Sequence, residues 1–357
     1  MIDQKVLKQI YINCLKDPNG PKVFIDLKSI KDRFLEIKDM APANLDFIFP
    51  VKSFPHSTFL HAIAPIISGF EFSNQNEFNL IKEVLSPDTT NLASNFFNHE
   101  SERSFLKGNF CYDIGYLDQI DDLAPDSAIS LRLKPPLELY QGEKTRFGLN
   151  AEEIQSLASQ DKLCKRVISL HFHLGFERTT LQDIKSTIEM CLSYREKYFS
   201  NLTSINIGGG ITTLSKQDLV DLFAYISNID LKFVMEAGRY FTENACYGVG
   251  QILSLRERPH GIDILTDLSR ECHLKWAWPK SFNILNTKPN QQKTKSSKTI
   301  QIFGNTAFEG DTLLSATPER ELSFSKGDHI VVDNVSGYSI AWNHSFNGVP
   351  AAKIIFL

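Results

Sequence analysis

A chain of 357 residues has room for about two domains, and its 42% hydrophobic content excludes a disordered or fibrous polymer. The 42 acidic and 38 basic side chains leave a formal charge of −4, which excludes the basic footprint of a nucleic-acid or anionic-membrane binder and points to small molecules, or a second copy of the chain, as partners. The longest apolar stretches, such as Phe59 to Phe70, are interrupted by His61 and Pro65 and fall short of the roughly 18 residues that a membrane span needs.

Residues 1–20 are expected to form an amphipathic N-terminal helical segment. Charges run through it and no apolar run is uninterrupted, so no secretory leader is expected and the cytoplasm is the expected location. The six cysteines, Cys14, Cys111, Cys164, Cys191, Cys246 and Cys272, lack any C-x-x-C spacing. That suits reduced thiols and supports neither a disulfide frame nor structural zinc.

From about residue 21 to 245, short β-branched or aromatic runs alternate with longer stretches of helical period. Eight such runs stand out: FIFPV ending at Val51, GFEF near 70, NLASNFF near 95, NFCYD near 111, ISLRL near 131, VISLHFH ending at His173, SINIG ending at Gly208 and KFVME ending at Glu236. Residues 181–199 carry apolar side chains at three- and four-residue steps with charges on the remaining face, as a helix packed on a sheet requires. The alternation predicts an α/β fold, a (β/α)8 TIM-type barrel, with a doubly wound open sheet as the alternative.

From 246 to 357 the texture changes to short alternating runs such as YGVGQILSLRER, TIQIFG, ELSFS, HIVVDNV and AKIIFL, which predict a C-terminal all-β domain. Residues 284–299 are polar, basic and without period, and are expected to be a solvated loop. No aromatic residues are interleaved there for stacking on nucleic acid.

In a barrel the active site is built at the carboxyl ends of the strands, so the polar residues that close apolar runs are the candidates. Lys52 is either a snorkelling rim residue or an amine nucleophile for a Schiff base. His171 and His173 lie two apart without a third ligand near them, which favours a core histidine or a ring packed on a cofactor over a metal site. Gly208, Gly209 and Gly210 form either a plain turn or a close approach of backbone N–H groups to a phosphate. Glu236, with Gly238 and Arg239, is either a surface ion pair or a carboxylate aimed at a cationic ring nitrogen beside a phosphate-binding arginine. Taken together and in this order, an amine, a flat imidazole, a glycine turn and a carboxylate–arginine pair are what pyridoxal 5'-phosphate asks of a protein.

The order of these segments, from PKVFIDLKSI near 21 to the terminal FNGVPAAKIIF, resembles the fold-type III pyridoxal-phosphate-dependent decarboxylases, the family of ornithine, diaminopimelate and carboxynorspermidine decarboxylases. The resemblance implies that Lys52 in FPVKSF is the Schiff-base lysine and His173 in HFHLG the ring-stacking histidine. It implies a phosphate cradle of Gly208, Gly209, Gly210, Gly238 and Arg239, closed by Tyr338, with Glu236 as partner of the pyridine nitrogen. Arg132, Glu71 and Glu77 fall at supporting positions, and TRFG carries Arg146 where the family has lysine.

GNTAFEGD (304–311) and DLSRECHLKWAWP (267–279) are most similar to the carboxynorspermidine branch. By the same likeness Asp267 receives a distal ammonium group, while Phe308, Glu309, Asp311 and Phe346 line a substrate site completed by the second subunit of a homodimer. Arg270 keeps a distal carboxylate in play. Two positions depart from the family: Ala307 stands where a proton-donating cysteine is usual, and Phe176 where ornithine-type members have a serine.

The expected reaction is decarboxylation of an amino acid, or a carboxylated polyamine-like substrate with a distal cation, through a quinonoid favoured by the carboxylate of Glu236 over racemisation chemistry. With no thiol at 307, the replacement proton donor is expected among His273, Cys272, Tyr338 and water, with His273 placed in the catalytic set. The alternatives are an oxidative fate for the carbanion and a non-catalytic homologue that binds the cofactor or a partner protein. No metal is expected.

Overall fold

The computed structural model describes residues 2–86, 89–94, 110–135, 145–175, 179–289 and 291–357. The chain divides into two compact units, one of residues 33–241 and the other of residues 1–32 with 242–357.

The first strand, β1 (Lys22–Ile25), belongs to the second unit, and the barrel of the first is built from the strands that follow it. These are β2 (Leu45–Pro50), β3 (Gly69–Phe72), β4 (Leu92–Ser94), β5 (Cys111–Ile114), β6 (Ile129–Arg132), β7 (Val167–His171), β8 (Ser204–Asn206) and β9 (Lys232–Met235). Among the described residues these eight strands pair in parallel and in chain order, and β2 pairs with β9 to close a TIM-type barrel. Each overlaps one of the eight apolar runs of the sequence.

Parallel strands covered on both faces read as continuous apolar runs, and nearly every residue here is buried. Large rings fill the space between layers: Phe34 stacks on Phe241, and Phe54 on Phe59 at 4.1 Å. The outer helices form where caps and spacing agree. In Leu181–Lys197, Thr180 and Asp183 make a reciprocal capping box, and Ile184, Thr187, Ile188 and Cys191 form the buried stripe. Ser215 and Asp218 cap Lys216–Ile226 in the same way.

The second unit contains β10 (Cys246–Arg258), β11 (Gly261–Thr266), β12 (Phe282–Leu285), β13 (Thr294–Ser296), β14 (Thr299–Phe303), β15 (Thr312–Ala316), β16 (Leu322–Phe324), β17 (His329–Val335) and β18 (Lys353–Phe356). One mixed sheet runs β12-β17-β10-β11-β14-β15, with β1 joining β10 on one side and β18 on the other. The N-terminal helix Gln4–Lys16 buries Val6, Ile10 and Cys14 against Phe24, Tyr247, Val249 and Val331 of this sheet.

Two sequence expectations are corrected. A barrel starting at residue 21 fails because KVFI is a strand of the β unit: all four residues are buried, and Lys22 satisfies its ammonium on the carbonyls of Asn19 (2.7 Å) and Gly20 (3.0 Å). An apolar run specifies a buried strand but not the sheet that receives it. The 284–299 segment is not a plain loop either. Thr294–Ser296 pairs with Leu322–Phe324, and Lys293 reaches Asp328 at 2.5 Å. The six cysteines are free thiols, and among the described residues no helix is long and apolar enough to cross a membrane.

Candidate active site

Lys52 sits in a single turn, Val51–Ser53, directly after β2. Its Nζ lies 2.6 Å from Oε2 of Glu71 on β3, and Ser94 on β4 donates its hydroxyl to the other carboxylate oxygen. Glu71 has no exposed surface, whereas the Lys52 side chain is 41% exposed. A carboxylate removed from water is tolerable only with such partners, so the pair pins the lysine at the barrel rim with its side chain partly exposed. Glu77 accepts from the backbone and hydroxyl of Ser73 (2.8 and 3.0 Å).

Across the rim, Arg132 ends β6 in register with His171 of β7, its guanidinium 4.8 Å from the Phe147 ring centre. His173 lies two residues beyond β7, half-buried, and its Nδ1 accepts from the N–H of Gly175 at 3.0 Å. Burial first, and then the charges of Arg132 and Lys52 and the neighbouring His171, push its pKa down to about 3, so the ring is neutral and flat at neutral pH. His171 turns to Asp113 instead, with Nδ1 2.8 Å from Oδ2. The two histidines therefore do not converge, and among the described residues no group of side chains is placed to hold a metal ion.

Gly208 and Gly210 have φ of +66° and +80°, a region that side-chain-bearing residues rarely adopt. A Cβ on Gly208 would stand 2.5 Å from the Phe172 carbonyl oxygen, and one on Gly209 2.5 Å from that of Glu236. Gly238 is equally confined, since a Cβ there would meet Ser53 Oγ at 2.4 Å. Glu236 follows β9, 6% exposed. Its N–H donates to the Gly208 carbonyl (2.8 Å) and its Oε1 accepts from Asn206 Nδ2 (2.7 Å). Arg239 lies partly exposed in the short helix Gly238–Thr242.

The other candidates lie in the β unit. Tyr338 is partly buried and opens the helix Tyr338–Ala341. Asp267 is partly buried and accepts from Gln251 N–H at 2.6 Å; burial raises its carboxyl above the usual range. Phe308 and Phe346 are about half exposed, and Glu309 and Ala307 are exposed.

His273 and Asp311, two further candidates from the sequence, are buried. His273 has no exposed surface; its Nδ1 accepts from Ser269 N–H (3.0 Å), its Nε2 donates to the Pro350 carbonyl (2.9 Å), and burial lowers its pKa. Both nitrogens have partners within the fold. Asp311 accepts from Arg270 N–H (2.8 Å), Ser269 Oγ (2.9 Å) and Thr306 Oγ1 (2.6 Å), and so braces its loop. Phe176 lies outside the described residues.

Sequence reasoning overlooked Ser94, Asp113, Ser130 and Asn206. Each is a polar residue in a short barrel strand (LAS, CYDI, ISLR, SIN), where its side chain is buried and must find a partner. That signal was available in the sequence.

A parallel barrel with an amine held by a buried carboxylate, a neutral imidazole, a crowded glycine turn and a second buried carboxylate at one rim defines a cofactor-dependent (β/α)8 enzyme. The donor set and the glycine cradle suit a flat aldehyde cofactor that carries a phosphate. The family profile "Pyridoxal-dependent decarboxylase, pyridoxal binding domain" matches residues 27–243, and the chain belongs to this family. It is a carboxy-lyase, and its cofactor is pyridoxal 5'-phosphate.

Diaminopimelate decarboxylase of Haemophilus influenzae is 21% identical over 93% of this chain and 87% of its own. The crystal structure of the Paramecium bursaria Chlorella virus arginine decarboxylase superposes with a TM-score of 0.82 at 16% identity, over 99% of this chain and all of that one. Carboxynorspermidine decarboxylase of Campylobacter jejuni, complexed with norspermidine, gives 0.74 at 16% identity over 95% of this chain and 94% of that one. These likenesses show the shared fold and do not single out the carboxynorspermidine branch.

Proposed function

We propose that this decarboxylase acts on an amino acid or carboxylated polyamine-like substrate whose far end carries a cation, and that Lys52 is the amine that tethers the cofactor. The observation that carries this reading is the Lys52–Glu71 pair: the amine of a partly exposed lysine held at 2.6 Å by a carboxylate with no exposed surface. When bound, the cofactor supplies an aldehyde and a ring that draws electrons from the carbon losing carbon dioxide.

The chain's own residues do the holding. The neutral ring of His173 offers a flat face for packing, and Gly208, Gly209, Gly210, Gly238 and Arg239 offer backbone and guanidinium donors for a phosphate, with Tyr338 of a β unit added to them. Glu236, steadied by Asn206, is the counter-charge for the ring nitrogen, and Arg132 supports that side of the rim. Asp267 receives the distal ammonium group, whose charge would offset the burial of its carboxyl.

Cys272 and His273 are both committed. The thiol is buried, its pKa is raised, and it contacts the Phe346 carbonyl at 3.4 Å. Tyr338 or solvent therefore protonates the product carbon. The absence of a thiol at Ala307 favours one second reading, in which oxygen is consumed and the product is an aldehyde.

We place the enzyme in the cytoplasm, in keeping with its free thiols, and as a homodimer. Trp276, Trp278, Trp342, Phe308 and Phe346 of the β unit are 40–52% exposed, an aromatic surface of the kind that a second subunit covers. Substrate resemblance in 267–279 and 304–311 still favours a carboxynorspermidine-like amino acid over ornithine.

Borohydride reduction followed by peptide mapping tests the reading: a pyridoxyl mass should appear on Lys52 and vanish in Lys52→Ala. A label on another lysine, or none after incubation with the cofactor, sinks it. Carbon dioxide release from a panel of basic amino acids, run in deuterium oxide with mass spectrometry of the product, then identifies the substrate. One deuterium at the product carbon supports simple decarboxylation; an aldehyde with oxygen uptake supports the second reading.

A further inference from the structure

Behind Glu236 lies a chain of buried polar groups that the reading above does not use. Ser130 on β6 donates to Asp113 Oδ1 on β5 at 2.9 Å, and Asp113 Oδ2 is 2.8 Å from His171 Nδ1 on β7. The other ring nitrogen, Nε2, lies 3.6 Å from Glu236 Oε1, the oxygen that also accepts from Asn206 on β8. Asp113, Ser130, His171, Asn206 and Glu236 are between 1% and 6% exposed. His171 Nε2 is buried without a hydrogen-bond partner.

The hydrogen positions follow from this geometry. Burial alone would raise the Asp113 carboxyl, but His171, Arg132 and Ser130 outweigh it and hold it below the usual carboxylate range, so Asp113 is an anion. An anion accepts, which places a proton on His171 Nδ1. Nε2 is then either a bare lone pair confronting a carboxylate oxygen or the holder of a second proton. A buried lone pair opposite a carboxylate leaves Nε2 without a partner and sets two acceptors against each other, whereas one proton in the gap satisfies Nε2 and adds to the bond that Asn206 already gives Glu236 Oε1.

We propose that Asp113 and His171 are a positioning pair that keeps a proton between His171 Nε2 and Glu236 Oε1, and thereby sets how much of the Glu236 charge is available to the cofactor's ring nitrogen. The inference rests on the reading of Glu236 given above. Around the pair, the other charged or titratable groups among the described residues are Cys111 on β5, pushed up to about 12 by burial and Asp113, Arg132 on β6, and His173 and Lys52 at the rim. Arg132 and Lys52 add positive charge, which favours an ionised Asp113–Glu236 frame around one shared proton.

Two measurements test it. In cofactor-free protein labelled with 15N in its nine histidines, the signals that disappear in His171→Gln belong to His171. At neutral pH both of its nitrogens should resonate as proton-bearing, and Glu236→Gln should return Nε2 to the bare state. A bare Nε2 in the wild type overturns the proposal.

In the loaded protein, Asp113→Asn and His171→Gln should retain the cofactor yet displace the pH dependence of its visible absorbance by about one unit, a tenfold change in proton affinity, with kcat lowered roughly tenfold or more. Absorbance profiles that superpose on the wild type overturn it, because a purely structural pair would leave them unmoved. Failure of the Glu236 reading itself is recognisable separately: Glu236→Gln would then leave the absorbance profile unchanged as well. If the inference alone fails, Glu236→Gln still moves the profile while the two pair variants are silent.

Discussion

Lys52 Nζ and Glu71 Oε2 stand 2.6 Å apart across neighbouring strand ends, yet the two side chains live in different surroundings, one 41% exposed and the other fully buried. Removing either partner therefore has unequal consequences. Lys52→Ala leaves a carboxylate sealed from water without its cation and should destabilise the cofactor-free protein by about 3 kcal/mol or more. Glu71→Gln leaves a lysine that water can still reach and should cost much less. The double variant should recover most of the Lys52→Ala loss. Urea unfolding of the four proteins checks this, and equal losses for both single variants would contradict it.

His173 predicts a pH dependence of stability. Its unfolded ring takes up a proton as pH falls through about 6.5, whereas in the fold burial delays protonation to about 3. Between those values the unfolded state binds more protons, so stability is complete above about pH 6.5 and declines as the solution is acidified, by at most about 1.4 kcal/mol per pH unit for this one group. Unfolding midpoints measured from pH 7 to 5 should fall less steeply in His173→Gln than in the wild type. Parallel slopes would place the effect elsewhere.

Gly208→Ala adds a methyl group 2.5 Å from the Phe172 carbonyl oxygen at a φ of +66°. Strain of about 1–3 kcal/mol is expected, together with a displaced turn. Thermal unfolding should register the first, and a weakened affinity for pyridoxal 5'-phosphate the second. Unchanged stability and affinity in the Gly208→Ala variant would show that the turn is not held as described.

His273→Gln separates a brace from an acid. Loss of one or two buried hydrogen bonds should lower stability by about 1–3 kcal/mol, while the pH profile of kcat keeps its wild-type shape. A loss of about 10²-fold or more in kcat with stability intact is the signature of a general acid and would reverse the assignment.

Much of this molecule was legible as text. A short apolar run can bury both faces, a three-and-four spacing can bury only one stripe, and their regular alternation ordered the eight barrel strands. The residue types that close those runs placed Lys52, His173, Gly208 and Glu236 at one rim, because strand ends in a parallel barrel share a face. The membership of KVFI was not legible, since four apolar positions suit either sheet and its neighbours in β10 and β18 lie more than 200 residues away in the chain.

Hydrogen-bond commitments were hidden for the same reason. Only the folded chain ties both nitrogens of His273, turns Asp311 into a loop brace, and brings Asp113 to His171 from 58 residues away. Sequence by itself determined which chemical groups are present and which stretches must be buried, because side-chain chemistry and periodicity are local. Tertiary structure decided which groups remain available to a substrate, because a buried donor or acceptor is committed by whatever partner the distant chain delivers to it.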